Sequence, residues 1–221
     1  QDSSLLAGPR QVFVSGRFAY VTASTNARLT IIDVSNPTSP VIANSFQSLS
    51  SLSTVGGLFV SGRYAYIASN GTNGLAVVDV NNGYGAMVLA GTVTDSVRLR
   101  KATSVFVSGR YAYLVGFDTN RLVAVDISNP ASPVIAGEAV SNSDLNVANL
   151  DPTTALFVSG RYAYLASAPS NKLTIVDLQG SDLSSASVGS VSAGSVQVAD
   201  LLDVGDHANI RGGLDVGPGG I

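Results

Sequence analysis

A nine-residue segment, Val-Phe-Val-Ser-Gly-Arg-Phe-Ala-Tyr at Val12 to Tyr20, returns almost unaltered at Leu58 to Tyr66, Val105 to Tyr113 and Leu156 to Tyr164. Each copy leads into an apolar run ending in an aspartate, Asp33, Asp79, Asp126 or Asp177, always 17 residues after the glycine of the motif. Those glycines, Gly16, Gly62, Gly109 and Gly160, are spaced by 46, 47 and 51 residues. A chain that repeats itself in this way is an array of supersecondary units. Each unit buries its apolar faces only by stacking on its neighbours.

Within a repeat the pattern is one of short strands and tight turns. In the third copy, Ser104 to Val107 reads as a strand, Ser108 and Gly109 as a turn, and Arg110 to Val115 as a second strand. After a loop at Gly116 to Asn120, a third strand is expected from Arg121 to Ile127. A Ser-Asn-Pro turn at Ser128 to Pro130 and a fourth strand from Pro133 to Gly137 complete the unit. Four antiparallel strands per repeat make one blade, so the fold class expected is all-β, a β-propeller of four-stranded blades.

Side-chain alternation says how such blades would pack. In the second strand Tyr111 and Tyr113 fall on one face and Ala112 on the other, and the same holds around Tyr64, Ala65, Tyr66 and Tyr162, Ala163, Tyr164. An aromatic face set against an alanine face lets blades nest closely, which reads as core between blades rather than as a sugar-binding platform. If Arg17 opposes Asp33, the hairpin is centred on Thr25; the equivalent pairs Arg63 and Asp79, Arg110 and Asp126, and Arg161 and Asp177 centre on Gly71, Asp118 and Pro169. All four centres lie in turn-like sequence. A charge-assisted clasp is expected in every blade, with the aspartate also accepting from backbone N–H groups of the turn that follows.

Composition narrows the remaining classes. Only 12% of the 221 residues are charged and the net charge is -3, with the 12 basic residues scattered, so no stripe exists to follow a phosphate backbone and no nucleic-acid partner is expected. There is no cysteine, so disulfides and thiol metal sites are excluded. No window approaches the roughly 18 uninterrupted apolar residues of a membrane span. The start at Gln1, almost on the first motif, is the expected mark of a processed or excised fragment.

The repeat fails in a few places. Asn81, Asn82 and Gly83 replace Ser-Asn-Pro in the second copy, the link Ser141 to Thr154 is longer by about four residues than its counterparts, and the fourth copy lacks a clear last strand, for which Ala186 to Val191 could substitute.

The unit VFVSGRYAYL (Val105 to Leu114), LVAVDISNP (Leu122 to Pro130) and PVIAG (Pro133 to Gly137) resembles the LVIVD-repeat β-propellers, found mostly in bacterial surface and secreted proteins, over about Val12 to Leu178. The resemblance implies scaffold repeats without shared catalytic residues, at an extracellular or cell-surface location. The tail differs in kind, because Leu202-Asp-Val-Gly205 recurs twelve residues later as Leu214-Asp-Val-Gly217, a period too short for a blade. Residues 204–221 are similar to the β-stalk segments of phage tail fibres and bacterial fibre proteins, which trimerise. The expected division is therefore a propeller over 1–187, with repeats near 11–50, 57–95, 104–140 and 155–187, and a β-stalk or oligomerisation segment over 188–221.

Chemistry-bearing residues are sparse. His207 is the only histidine, so a Ser-His-Asp triad would have to form around it, and Asp200, Asp203, Asp206 and His207 make the densest set of metal-ligand types. Asp203 belongs to the repeated Leu-Asp-Val-Gly step, which favours a turn role. No catalytic, cofactor-binding or metal residue is assigned, no cofactor is expected, and no enzymatic activity is expected. The functional expectation is a structural repeat protein, a propeller bead in a self-assembling surface fibre or filament, homo-oligomeric as a trimer or filament. The alternative is a surface adhesin that recognises a glycan or a protein partner.

Overall fold

A computed structural model of the chain describes residues 4–116, 119, 121–140, 155–167 and 172–178, all within one compact unit, Gln1–Asp182. The described residues form four antiparallel sheets, each built from strands in sequence order. The first holds β1 (Pro9–Ser15), β2 (Phe18–Ala23), β3 (Arg28–Asp33) and β4 (Val41–Gln47). The second holds β5 (Val55–Ser61), β6 (Tyr64–Ser69), β7 (Gly74–Asp79) and β8 (Val88–Thr94). The third holds β9 (Ala102–Ser108), β10 (Tyr111–Gly116), β11 (Arg121–Asp126) and β12 (Val134–Val140), and the fourth β13 (Ala155–Ser159), β14 (Tyr162–Ser167) and β15 (Lys172–Asp177). The chain is thus all-β and propeller-like, with one blade per repeat. The substitute strand at Ala186 to Val191 lies outside the described residues.

The motif's Ser-Gly-Arg step makes the first turn of each blade. Gly16, Gly62, Gly109 and Gly160 all sit at φ of 57 or 58°, the left-handed first position that a two-residue hairpin turn of type II′ gives to glycine. The arginine is the second turn residue, so the ladder begins one residue later: Asp33 pairs with Phe18, Asp79 with Tyr64, Asp126 with Tyr111 and Asp177 with Tyr162. The expected pairing of Arg17 directly opposite Asp33 is therefore displaced by one residue. Instead the Arg17 carbonyl accepts from the Val34 N–H at 2.9 Å.

On the outer side of three blades the third and fourth strands slip register at the same place, leaving Ala43, Ala90 and Ala136 unmatched. A bulge there twists the outermost strand away from flat pairing and blunts an exposed edge.

Packing between blades follows the face alternation. One core layer joins Phe18, Tyr20, Leu29 and Ile31 of the first blade to Leu58, Val60, Ala65, Ile67 and Val78 of the second. The next joins Tyr66, Leu75 and Val77 of the second blade to Ala112, Leu114, Val123 and Val125 of the third. A third joins Tyr113, Val115 and Leu122 to Leu156, Val158, Ala163 and Leu165 of the fourth. In every layer the tyrosine face of one blade meets the alanine face of the next, as the alternation implied. The inner strands touch in succession, β1 on β5, β5 on β9 and β9 on β13. Along them Phe13, Phe59, Phe106 and Phe157 form a spine with ring centroids 4.9, 4.8 and 5.0 Å apart.

Two further features set the distance between blades. A Cβ on Gly57 would lie 2.5 Å from the Val105 backbone nitrogen and 2.7 Å from the Ser104 Cα, so β5 and β9 approach as closely as they do only because Gly57 has no side chain. Leu52 and Leu99, in the links before β5 and β9, are fully buried plugs in the first two core layers.

Gly57→Ala is expected to destabilise the fold by about 1–3 kcal/mol through forced separation of two backbones. Leu75→Ala should cost about 2–5 kcal/mol, as for other fully buried leucines. Leu173→Ala, at the same repeat position in the fourth blade but exposed, should change the stability of the monomer by less than about 0.5 kcal/mol. Urea unfolding of the three variants checks all three values.

Candidate functional site

The clasp expected from the 17-residue spacing forms in all four blades. Arg17 pairs with Asp33, Arg63 with Asp79, Arg110 with Asp126 and Arg161 with Asp177. In the first three, the aspartate also accepts from a backbone N–H of the following turn, Ser35 at 2.9 Å, Asn81 at 3.0 Å and Ser128 at 2.9 Å. Each guanidinium lies over the next aromatic ring, Phe18 at 5.6 Å, Tyr64 at 5.8 Å, Tyr111 at 5.2 Å and Tyr162 at 5.2 Å. The arrangement ties the start of the second strand to the end of the third and to the turn beyond it. A carboxylate saturated in this way, once per blade, is built to hold and not to exchange a proton.

The electrostatics agree. The Arg17 guanidinium, then Ser35 and Tyr84, hold the Asp33 carboxyl well below the usual range. Arg110 and then Ser128 do the same for Asp126, and Arg63 lowers Asp79. Asp95, in the link to the third blade, is lowered to about 2 by the Arg98 backbone N–H and guanidinium and by the Val97 N–H.

Of the places where the repeat fails, one lies among the described residues. Asn81–Gly83 forms a short 3-10 turn with φ of 36, 58 and 88° in succession. It lays Gly83 on the Phe18 ring, where a Cβ would sit 2.7 Å from Cζ. It also carries Tyr84 back to the first blade. There the Tyr84 hydroxyl donates to Asp33 and accepts from Arg17 Nη2 at 3.4 Å, with its ring 5.3 Å from that of Phe18. Asn44 Nδ2 donates to the Gly85 carbonyl at 2.7 Å. The different turn is thus a bridge between blades, and Tyr84, the one tyrosine outside the repeated positions, is a clasp residue that sequence reasoning missed.

The link Ser141 to Thr154, the tail after Val188, and Asp200, Asp203, Asp206 and His207 lie outside the described residues. Among the described residues no group of three or more His, Cys, Asp or Glu side chains is placed to hold a metal ion, and no helix is long and apolar enough to cross a membrane.

The surfaces that stand out are the two end faces. On the first blade, Val12 and Val14 are 59% and 60% exposed, whereas their repeat equivalents Leu58 and Val60 are 2% and 5% exposed. On the fourth blade, Phe157, Leu173 and Ile175 are 57%, 66% and 56% exposed, while Leu29 and Ile31 at the latter two positions are 0%. Among the described residues the exposed part of the first blade's outer face is its first strand, for Ala19 and Thr30 on the same face are buried and the Leu5 carbonyl accepts from Thr30 Oγ1 at 2.8 Å. No described strand covers Phe157, Leu173 and Ile175 of the fourth blade.

Four such sheets, stacked face to face along a common inner edge, define a β-propeller-like repeat protein. Residues 9–48, 54–95, 99–140 and 153–191 match the LVIVD repeat. The chain belongs to the LVIVD-repeat family, as the motif resemblance implied. No curated protein matches the sequence. Among solved structures, the chain is similar to a candidate 6-phosphogluconolactonase of Bacteroides uniformis, with a TM-score of 0.61 and 12% identity, covering 77% of this chain and 53% of that one. It is similar to a chain of the nidogen/laminin complex, with a TM-score of 0.57 and 13% identity over 78% and 60% of the two chains. A third is the periplasmic gluconolactonase of Pseudomonas aeruginosa, at 0.53 and 17% over 62% and 41%. The chain spans about half the length of these structures, and at such identities the likeness is one of fold.

These neighbours correct one expectation. The chain was expected not to be an enzyme because its acidic and aromatic residues fall at repeated, architectural positions. Two of the neighbours carry the names of lactone-hydrolysing enzymes on the same blades. The physical reason is that a site can be grafted onto the loops of a regular scaffold without disturbing the repeat, so scaffold character does not exclude catalysis.

The clasp makes stability depend on pH. Asp33, Asp79, Asp95 and Asp126 are depressed in the folded state relative to about 3.9 in the unfolded chain. Their stabilisation is complete above the unfolded value and is lost as pH falls through the folded values. Urea midpoints are expected to stay level between about pH 7 and pH 5 and to decline below about pH 4. Asp79→Asn should be less stable at neutral pH and decline less steeply on acidification. An unchanged acid slope in this variant would assign the loss to other groups.

Proposed function

We propose that this protein is a structural module of an extracellular or cell-surface fibre or filament, in which it associates with further copies of itself. The observation that carries the reading is the set of exposed apolar side chains on the outer strands, Val12 and Val14 of the first blade and Phe157, Leu173 and Ile175 of the fourth, on a blade stack whose interior faces are buried. A soluble monomer seldom exposes contiguous apolar surface of this kind unless something binds there. Low charge supports the same reading, since only 12% of residues are charged and repulsion between copies is weak. The clasps support it too, because they hold the strand corners and leave the outer strands to meet other molecules. The similarity of residues 204–221 to fibre β-stalks belongs to this reading as a second, trimerising element.

Sedimentation over a hundredfold range of concentration, with electron microscopy of the most concentrated sample, tests it. Mass rising in multiples of the chain mass is expected. A monomer at every concentration would overturn the reading, and binding of that monomer to a glycan array would put the adhesin in its place.

A further inference from the structure

The repeat separates what a link between blades needs from what a particular link carries. The link into the second blade, Ser48 to Thr54, and the link into the third, Asp95 to Lys101, are built alike. The Ser48 N–H donates to the Ala27 carbonyl at 3.1 Å and the Asp95 N–H to the Asn73 carbonyl at 2.9 Å. The Leu52 N–H donates to the Ser48 carbonyl at 2.8 Å and the Leu99 N–H to that of Asp95 at 3.0 Å. Both leucines are buried, and each link ends in a left-handed residue, Thr54 at φ 50° and Lys101 at φ 49°. One backbone thus serves both links. The side chains differ, because Ser51, Ser53 and Thr54 of the first are replaced by Arg98, Arg100 and Lys101 in the second. Three of the chain's 12 basic residues therefore fall within four positions that the repeat fills equally well with serine and threonine.

We propose that the link Asp95 to Lys101 is an anion-binding site whose ligand is an acidic glycan, held through a carboxylate or a sulfate group. The site is independent of self-association, since it uses no strand edge and no sheet face.

Architecture accounts for the clasp arginines, each of which is answered by an aspartate of its own blade. It does not account for Arg100, which is exposed and has no carboxylate set against it among the described residues. Arg98 is held in a different way. Asp95 accepts from its Nε at 2.8 Å and from the backbone N–H groups of Val97 and Arg98 at 2.8 and 2.7 Å. One carboxylate therefore fixes both the turn and the guanidinium. The terminal Nη pair, the part of an arginine that fits an oxyanion with two parallel hydrogen bonds, takes no part in that contact. The Arg98 side chain remains 42% exposed. Leu99, buried between the two arginines, pins the chain from which both extend. An anion meeting them encounters a charge that is already oriented, and little ordering is left to oppose binding.

The neighbours of the arginines indicate the class of ligand. Val97 is 63% exposed in the same turn, next to the exposed Ser96. An apolar side chain and a hydroxyl beside a guanidinium suit a sugar ring, which presents C–H faces and hydroxyls around its charged group. A nucleic acid or a bilayer is disfavoured. Following a phosphate backbone takes a longer tract of cations, a bilayer surface takes clusters of about 4–8, and a chain of net charge -3 is repelled by either.

The test uses the whole chain and three probes followed by calorimetry: alginate oligomers for the carboxylate, dextran sulfate for the sulfate ester, and uncharged dextran as reference. Binding of one or both acidic probes is expected, weakening as salt rises, with none of dextran; the probe that binds identifies the group. Arg98→Ser and Arg100→Ser copy Ser51 and Ser53 of the preceding link, so both should fold. Each should weaken binding at least ~10-fold. Arg10→Ser, which removes an exposed arginine of the first blade, should leave it unchanged. Asp95→Asn separates positioning from charge. Losing a negative charge strengthens binding if net charge alone attracts the glycan, whereas binding falls if Asp95 orients Arg98. A fall is expected, with urea unfolding showing that the variant is folded.

No binding of either acidic glycan overturns the site. An equal loss in Arg10→Ser, or tighter binding by Asp95→Asn, overturns it as well, since either would mean diffuse attraction. A DNA duplex bound more tightly than both glycans at the same salt would put a phosphate backbone in the place of the sugar. Sedimentation keeps the two readings apart. A chain that is monomeric at every concentration and binds alginate or dextran sulfate keeps the site and loses the fibre, and an assembling chain that binds neither keeps the fibre and loses the site.

Discussion

The structure depends on one contact, a sheet face carrying tyrosine and leucine nested on a sheet face carrying alanine and valine. A single four-stranded sheet cannot bury both of its faces. In this chain the second and third blades each bury one face in the blade before and the other in the blade after. The layers are apolar and built from Leu29, Ile31, Leu58 and Ile67, then Leu75, Val77 and Leu114, each fully buried. Burial of such side chains is worth roughly 1.5–3 kcal/mol apiece, so the layers and not the clasps dominate stability. The clasp arginines are about half exposed, where ion pairs contribute little and are screened by salt. Their work is geometric: each fixes the corner at which the second strand, the third strand and the following turn meet.

This division explains what could be read in the sequence. Strand positions, blade count and the opposed faces were legible because period-2 alternation and the spacing from glycine to aspartate survive in all four copies. The clasp partners were legible for the same reason, although the register was displaced by one residue because the arginine is used up in the turn. Tyr84 was not legible. Its role depends on Asn81, Asn82 and Gly83 taking three left-handed conformations in a row, which swings the following residue onto the neighbouring blade, and no local pattern encodes that reach. The buried plugs Leu52 and Leu99 were missed although a signal existed. A leucine stands seven residues before each spine phenylalanine, at Leu6, Leu52, Leu99 and Leu150.

The enzyme question was misjudged for a related reason. Repetition tells which residues serve architecture, and it is silent on residues that are not repeated. Gluconolactonase-type neighbours and a nidogen/laminin chain share the blades of this protein at 12 to 17% identity. The same arc therefore carries different roles, and those roles reside in what the repeat leaves unspecified.

The ends of the arc show what the repeat does specify. Repeat arrays that stand alone in water replace the apolar residues of their outermost units with polar ones, because a terminal unit has only one neighbour. Among the described residues the outermost strands make no such replacement at four positions. Val12, Val14, Leu173 and Ile175 keep the residue types that the interior blades use for packing, although no described blade covers them. A single lysine or glutamate at any of these positions would satisfy the strand pattern equally well, since the backbone pairing does not depend on side-chain polarity. An exposed apolar side chain at such a position carries a solubility cost that is recovered when the strand is covered. The apolar outer strands thus follow the same residue pattern as the three interior layers.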